Sequence, residues 1–365
     1  MLLTKLHIRG LRSSAIWRAS KAESLLQKGD YFNSTLSKVV ANGLINTEFS
    51  KTPSLVDRIK KMTEYYTTER LPLQGHMTLI AYEMLEKPEN VTDNSMYQAE
   101  IIACAMELLQ SYFLIMDDIE DGATSRHGKT CWHLLPDVKT LALNDSSIFR
   151  STIHEILKQN FSGPLYTQLL DTFNDAYSQV AIGQHLDTLF STSKDFSLFT
   201  QANYDNIVKY KCTYYTMRLP LMLAMILTNR ADEESFKLAE NLCREVGDLF
   251  QMKNDFMDCF DSESESGKSG TDIQEGKCTW LAVKSLERGT PEQRTTFTTC
   301  YGSWDQEHVD TIKNLYKDLD LIALYEEEQR IRYKIFMQKV QALPSNATPT
   351  PELFLKLLQM AQAGQ

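Results

Sequence analysis

Apolar residues recur three and four positions apart through almost the whole chain, and that spacing leaves room for little but helices. It predicts helices over residues 58–66, 75–86, 96–116, 147–160, 165–190, 204–227, 231–260, 279–287, 309–343 and 351–363. Breaks fall between them at 87–93, 144–146, 162–164, 191–195, 261–276, 289–293 and 344–350. No segment shows the alternation between turns that a strand requires. A length of 365 residues admits two average domains or one large one. No linker divides the helical stretches, so the expectation is one large all-α domain.

Two acidic clusters lie on this helical frame. The first follows an apolar face in YFLIMDDIEDGATSRHG (residues 112–128) and holds Asp117, Asp118 and Asp121. Residues four apart share a helix face, so Asp117 and Asp121 stand together with Asp118 beside them. Like charges at that spacing repel and call for a cation. Hard carboxylate oxygens suit Mg²⁺, which takes few protein ligands, keeps waters and bridges to phosphates. An isolated acidic run is usually a solvated helix end. Here VGDLFQMKNDFMD (residues 246–258) repeats the spacing with Asn254, Asp255 and Asp258. Two such clusters facing each other would clamp several Mg²⁺ ions around a diphosphate.

A net charge of −10 supplies no basic groove and argues against a nucleic-acid partner. No apolar run in the sequence reads as a membrane span. The seven cysteines are scattered without a CxxC pair and read as reduced, mostly buried thiols. His76, His127, His133, His154, His185 and His308 show no metal-ligand spacing. Residues 1–22 differ from the rest: Lys5, Arg9, Arg12, Arg18 and Lys21 interleave with leucines and serines, and no acid precedes Glu23. Such a stretch reads as a mitochondrial transit peptide ahead of a domain over 23–365, with a cytoplasmic location as the alternative. Its removal would take the net charge from −10 to about −15, since five cations leave with it.

A metal–diphosphate site also needs cations that touch the phosphates. Arg126 lies just past Asp121, Lys211 sits in a helical stretch ahead of Tyr214 and Tyr215, and Lys268 and Lys277 follow the second cluster. Any one of them alone reads as a surface charge; together they recur beside the carboxylates. The run DSESESGKSGTD (261–272), small, charged and glycine-containing, is a surface loop placed where a lid would lie.

The stretches FLIMDDIEDGATSRHGKTCW, GQHLDT, IVKYKCTYYTMRLPLMLAM, FQMKNDFMD and GKSGTDIQEGKCTWL resemble, in order and spacing, the successive motifs of farnesyl diphosphate synthases, from about Lys60 to the C-terminus. The resemblance implies an all-helical isoprenoid-synthase bundle with a central active-site cavity, a homodimer, and Mg²⁺-dependent ionisation of an allylic prenyl diphosphate. It implies metal ligands at Asp117, Asp118, Asp121, Asp255 and Asp258, with Asn254 where the family has an aspartate. It places Arg126, Lys211, Lys268 and Lys277 on the diphosphate, matches Gln184, Asp187 and Gln251 to family positions, and puts Tyr112 and Phe113 at the closed end of the chain pocket.

The departures cluster. Where the family has Gly-Lys-x-x-Arg, this chain has Leu71 for the lysine and Gln74 for the arginine, and His127 replaces the second arginine after the first cluster. The basic C-terminal tail is replaced by MAQAGQ. Leu71, Gln74 and His127 all remove positive charge from the pocket for isopentenyl diphosphate, the second substrate of chain elongation. Each lost charge-assisted bond is worth about 1.5–3 kcal/mol. An allylic cation formed without a second substrate must cyclise, lose a proton or capture water. The chain is therefore similar to the terpene synthases that insects derived from farnesyl diphosphate synthases, and the expected reaction is farnesyl diphosphate to a sesquiterpene or its alcohol. A working prenyltransferase is the main alternative, supported by Gln110, Lys211 and Gln251, and a non-catalytic diphosphate-binding paralogue is the third.

Overall fold

The computed structural model of the protein describes residues 31–67, 72–260 and 270–363. In chain order the helices are α1 (Tyr31–Leu44), α2 (Pro53–Thr67), α3 (Leu73–Leu85), α4 (Asp93–Glu120), α5 (Leu141–Asn160) and α6 (Gly163–Ser193). Next come α7 (Gln201–Ile207), a π-helical segment (Val208–Arg218), α8 (Leu219–Thr228) and α9 (Glu233–Phe260). The chain closes with α10 (Asp272–Glu275), α11 (Trp280–Arg288), α12 (Pro291–Cys300), α13 (Gln306–Asp318), α14 (Leu321–Gln341) and α15 (Pro351–Ala363).

Helix α4 is the axis of the bundle. Thr92 and Ser95 form a reciprocal capping box at its start, and its middle, from Ala99 to Ser111, is buried on every side. A helix with apolar residues on every face must be enclosed, and α1, α2, α3, α5 and α8 pack around it, taking Glu100 and Glu107 inside as well. By length and composition alone α4 could cross a membrane, but 89% of its apolar window is buried inside the fold. The sequence reading of no span-like run therefore needs this correction, whose reason is that a core helix and a span share one composition.

The π-helical segment is the second organising element. Pro220 has no N–H to donate to the carbonyl four residues before it, and its ring crowds that carbonyl, so the helix widens upstream. The widened segment is gripped by two glycines. A Cβ on Gly183 of α6 would lie 2.2 Å from the backbone nitrogen of Lys211, and one on Gly247 of α9 would lie 2.2 Å from Thr213 Oγ1. Only glycine permits both approaches.

Three differences from the sequence pattern have local causes. The expected helix over 309–343 is broken at Asp320, which adopts a left-handed conformation (φ 54°) while the apolar spacing runs on across the break. Helix α12 occupies part of an expected break; Thr290 and Gln293 cap it reciprocally around Pro291, a start signal that periodicity alone passes over. Finally, a small hairpin pairs β1 (Ser125–Arg126) with β2 (Lys129–Thr130) in antiparallel register. His127 and Gly128 turn it with φ of 52° and 71°, the two positive values that a tight hairpin turn needs. Two-residue strands are too short for alternation to reveal.

Candidate active site

Both acidic clusters sit in the last turns of their helices, α4 and α9, where the helix dipole already disfavours negative charge. At the first cluster, described cations meet that cost directly. Arg126, aimed by the hairpin, donates from Nε to Asp118 Oδ1 and from Nη2 to Asp117 Oδ2, each at 2.7 Å. Lys211 lies 2.9 Å from Asp117 Oδ1 and 2.6 Å from Asp187 Oδ2. Lys277 reaches the same Asp187 oxygen at 3.0 Å and pairs with Asp121 and, at 3.8 Å, Glu275. The result is an alternating chain of charge: Arg126, Asp117, Lys211, Asp187, Lys277, Asp121. Its members come from α4, the hairpin, α6, the π-helical segment and the turn after α10.

Burial alone would push the Asp117 carboxyl up, but Lys211, Arg126 and Lys277 reverse this and hold it well below the usual carboxylate range. Burial would likewise lower Lys211; the carboxylates at 117, 187 and 121 keep it firmly charged. Asp118, fully buried, is pushed up to about 6 by that burial, against the pull of Arg126. It faces Arg126, Cys131, Trp132 and Tyr66 rather than the opening between the clusters. Of the three first-cluster aspartates, Asp117 and Asp121 line that opening.

The second wall is built differently. Asp255 accepts from Gln251 Nε2 at 2.7 Å and from the Trp280 backbone N–H at 2.8 Å, and burial pushes it up to about 6. Asp258 Oδ1 accepts from the backbone N–H of Asp272 at 3.0 Å. Gln251 thus orients a carboxylate. Between the two walls lies an opening of about 220 Å³, lined by Asp117, Asp121, Asp187, Lys211, Asn254, Asp255, Asp258 and Lys277.

This opening leads into a larger cavity of about 720 Å³, a size typical of small-molecule sites. Asp117, Arg126, Lys211, Cys212 and Asn254 line both spaces. Aromatic rings form a wall of the larger one: Tyr112 packs on Phe113 and on Tyr177 at centroid distances of 5.1 and 5.3 Å, and Phe113 on Tyr215 at 5.1 Å. Phe250 and Gln184 line it too. Among the described residues no three Asp, Glu, His or Cys side chains converge closely enough to hold an ion by themselves. The donors are all hard oxygens on opposite walls, an arrangement that fits Mg²⁺ ions completed by phosphate oxygens and water.

Residues 56–319 match the model of the polyprenyl synthetase family. The chain belongs to the polyprenyl synthetase family. Among similar polyprenyl synthetases, farnesyl pyrophosphate synthase 1 of Parthenium argentatum is 36% identical over 79% of this chain and 85% of the relative. The farnesyl pyrophosphate synthase of Murgantia histrionica is 34% identical over 82% of this chain and 74% of its own length. A bifunctional chloroplastic chrysanthemol synthase of Tanacetum cinerariifolium is 35% identical over 79% and 74%. The fold matches the T. brucei farnesyl diphosphate synthase in complex with a bisphosphonate, with a TM-score of 0.84 at 29% identity over 92% of this chain and 98% of that one. The all-helical isoprenoid-synthase fold expected of the chain is the fold it has.

The bundle gathers Asp117, Asp121, Arg126, Lys211, Asp255, Asp258 and Lys277 around one opening, with Asn254 between it and the cavity. Lys268, Leu71, most of the lid-like run and the basic N-terminus lie outside the described residues. Sequence reasoning gave Asp187 no role beyond its match in GQHLDT; the structure makes it the shared acceptor of two lysines. The signal available was its spacing, three residues after Gln184 on one helix face.

Proposed function

We propose that this polyprenyl synthetase ionises an allylic prenyl diphosphate, (E,E)-farnesyl diphosphate in preference to geranyl, and completes the reaction on that single substrate, as a terpene synthase. One observation carries the reading. Among the described residues, the large cavity is lined by two permanent cations, Arg126 and Lys211, and both belong to the charge chain at its mouth. Where a second diphosphate would bind, the wall presents Gln74 and His127 in place of the two arginines of the resembled motifs.

The residues fit Mg²⁺: Asp117 and Asp121 would hold it from one wall and Asp255 and Asp258 from the other, with Asn254 a neutral oxygen donor. Bound there, it supplies positive charge to the departing diphosphate. Asp118 is assigned to holding Arg126 in place. Lys211, Lys277 and Arg126 exchange carboxylate partners for phosphate oxygens, so diphosphate and cation favour each other's binding. Lys268 is proposed as a further phosphate contact. Beyond the mouth, Tyr112, Phe113, Tyr215 and Phe250 exclude water and offer ring faces to a developing cation.

A condensing prenyltransferase is the second reading, favoured by the names of the similar proteins. Incubation with Mg²⁺ and farnesyl diphosphate alone, and separately with geranyl plus isopentenyl diphosphate, tests the two. Fifteen-carbon volatiles from the first arm without elongation in the second support the lyase; brisk elongation in the second rejects it. Arg70 precedes Leu71 in the sequence, and Arg70→Ala in the same assay checks that it does not supply the missing charge.

We further propose a homodimer, with exposed Leu141, Leu143, Ile182 and Leu189 on α5 and α6 as its apolar face, tested by light scattering. Residues 1–22 are proposed to direct a mature domain spanning 23–365 to mitochondria, which a C-terminal reporter fusion with and without them tests.

A further inference from the structure

The far end of the large cavity holds a side chain that the chemistry at the mouth does not use. On α6, Tyr177, Val180, Ala181, Gln184 and Thr188 all line the cavity, with the three- and four-residue spacing of one helix face. Asp187, at the mouth, lies ten residues after Tyr177, about 15 Å along the helix. A prenyl chain whose diphosphate is held at the mouth therefore has this ring ahead of its tail. The Tyr177 ring meets Tyr112 at a centroid distance of 5.3 Å and Phe113 at 6.1 Å, both edge-on, and those two meet each other at 5.1 Å. The three rings close a triangle. Arg150, exposed on α5 and no part of the cavity lining, lies over the Tyr177 ring with its guanidinium 4.3 Å from the centroid.

The Tyr177 hydroxyl is enclosed and has no hydrogen-bond partner among the described residues. A buried hydroxyl left unbonded costs free energy, so what the residue contributes is its ring. Edge-to-face pairs on one side and a cation over the ring hold it in place. Forcing extra carbon into a packed site displaces side chains and backbone, at a cost. We propose that Tyr177 sets the length of prenyl chain the cavity accepts, backing Tyr112 and Phe113 so that a chain one isoprene unit longer than farnesyl is excluded; this deepens, and rests on, the single-substrate reading above.

Tyr112 and Phe113 are neighbours on α4, and what packs against their rings decides where they stand. Phe113 has a further support in Tyr215, at 5.1 Å. Among the described residues the ring partners of Tyr112 are Phe113 and Tyr177, so Tyr177 alone holds it from another helix. Truncating Tyr177 frees Tyr112 to turn aside and opens room toward Arg150. The carboxylates and cations of the mouth keep their printed partners, none of which is Tyr177. Tyr177 is thus a specificity-determining residue and takes no part in breaking the allylic bond.

The test uses the full chain with Mg²⁺ and equal amounts of farnesyl and geranylgeranyl diphosphate in one vessel, above an enzyme-free blank. The quantity read is the ratio of fifteen-carbon to twenty-carbon product, which is insensitive to how much folded enzyme each variant yields. The wild type should favour the shorter chain. A hydrophobic pocket distinguishes even one methylene by about 10–200-fold, so Tyr177→Ala should lower the ratio about tenfold or more. Tyr177→Leu, which leaves a smaller void, should lower it by less, and Tyr177→Phe, which keeps the ring, should hold the wild-type ratio. A wild type that uses both chains alike, a ratio unmoved by Tyr177→Ala and Tyr177→Leu, or one moved as far by Tyr177→Phe overturns the assignment and leaves the single-substrate reading standing. No product from either diphosphate overturns that reading instead. The same variants are then given geranyl and isopentenyl diphosphates: a twenty-carbon diphosphate from Tyr177→Ala or Tyr177→Leu but not from the wild type upholds the role of Tyr177, and the same product length from all overturns it. No turnover in either arm overturns both.

Discussion

Asp187→Asn isolates the junction of the charge chain. One carboxylate oxygen of Asp187 takes Lys211 at 2.6 Å and Lys277 at 3.0 Å, and the residue is 6% exposed. The two ammonium nitrogens therefore lie within roughly 6 Å of each other, a repulsion of about 3 kcal/mol at an effective dielectric constant of about 20. Removing one partner of a buried ion pair costs about 3–5 kcal/mol, because the other charge is left behind. At about 2 °C per kcal/mol for a chain of this size, the melting temperature should fall by about 6–10 °C. A diphosphate brought in with Mg²⁺ supplies the missing negative charge. Inorganic diphosphate with Mg²⁺ should therefore raise the melting temperature of Asp187→Asn by several degrees more than that of the wild type. The assay is differential scanning fluorimetry with and without both ligands. A variant that melts within about 2 °C of the wild type, or gains no more from the ligands, refutes the view that the lysines are held for a diphosphate.

Three further outcomes are expected. Gly183→Ala drives a Cβ to 2.2 Å from the Lys211 nitrogen; thermal unfolding should show a loss of about 1–3 kcal/mol, and diphosphate release should fall with it as Lys211 shifts. His76, buried beside Phe32, has its pKa lowered to about 4 by burial. Because the folded value lies below the unfolded value of about 6.5, the wild type should lose on the order of 3 kcal/mol as pH falls through that window, and His76→Leu should not, as measured by urea unfolding from pH 7 to 4. Restoring charge with Leu71→Lys, Gln74→Arg and His127→Arg together should create elongation of geranyl diphosphate by isopentenyl diphosphate, detected by chromatography of the prenyl diphosphates; no gain counts against the pocket-loss argument.

Much of this architecture was legible because helices announce themselves by spacing. The ten expected helices all overlap described ones, and the two clusters stand on α4 and α9 as the i, i+4 pattern implied. What escaped was set by backbone geometry or distance. The left-handed Asp320 splits a helix without disturbing its apolar rhythm. The widening before Pro220 and its two glycine clamps leave no periodic trace. The hairpin that aims Arg126 is two residues wide. Asp118 and Asp121 look equivalent in sequence, yet Asp118 is enclosed with Arg126 while Asp121 faces Lys277, and only three-dimensional packing separates them. Asp187 lies 66 residues after Asp121 and 90 before Lys277 but shares that lysine with Asp121, a coupling no local pattern encodes.

The five residues common to the mouth and the cavity also mark the border between two separately adjustable parts of the site. Departure of the diphosphate depends on the charged mouth, whose members hold one another in place, so single changes there are punished. On the proposed single-substrate reading, the fate of the prenyl chain depends on the lining behind it, the aromatic wall of Tyr112, Phe113, Tyr177 and Tyr215, where one substitution alters shape or polarity without touching the charge chain. A catalyst partitioned in this way can acquire new products by drift at a few lining positions while the bond-breaking end stays constant.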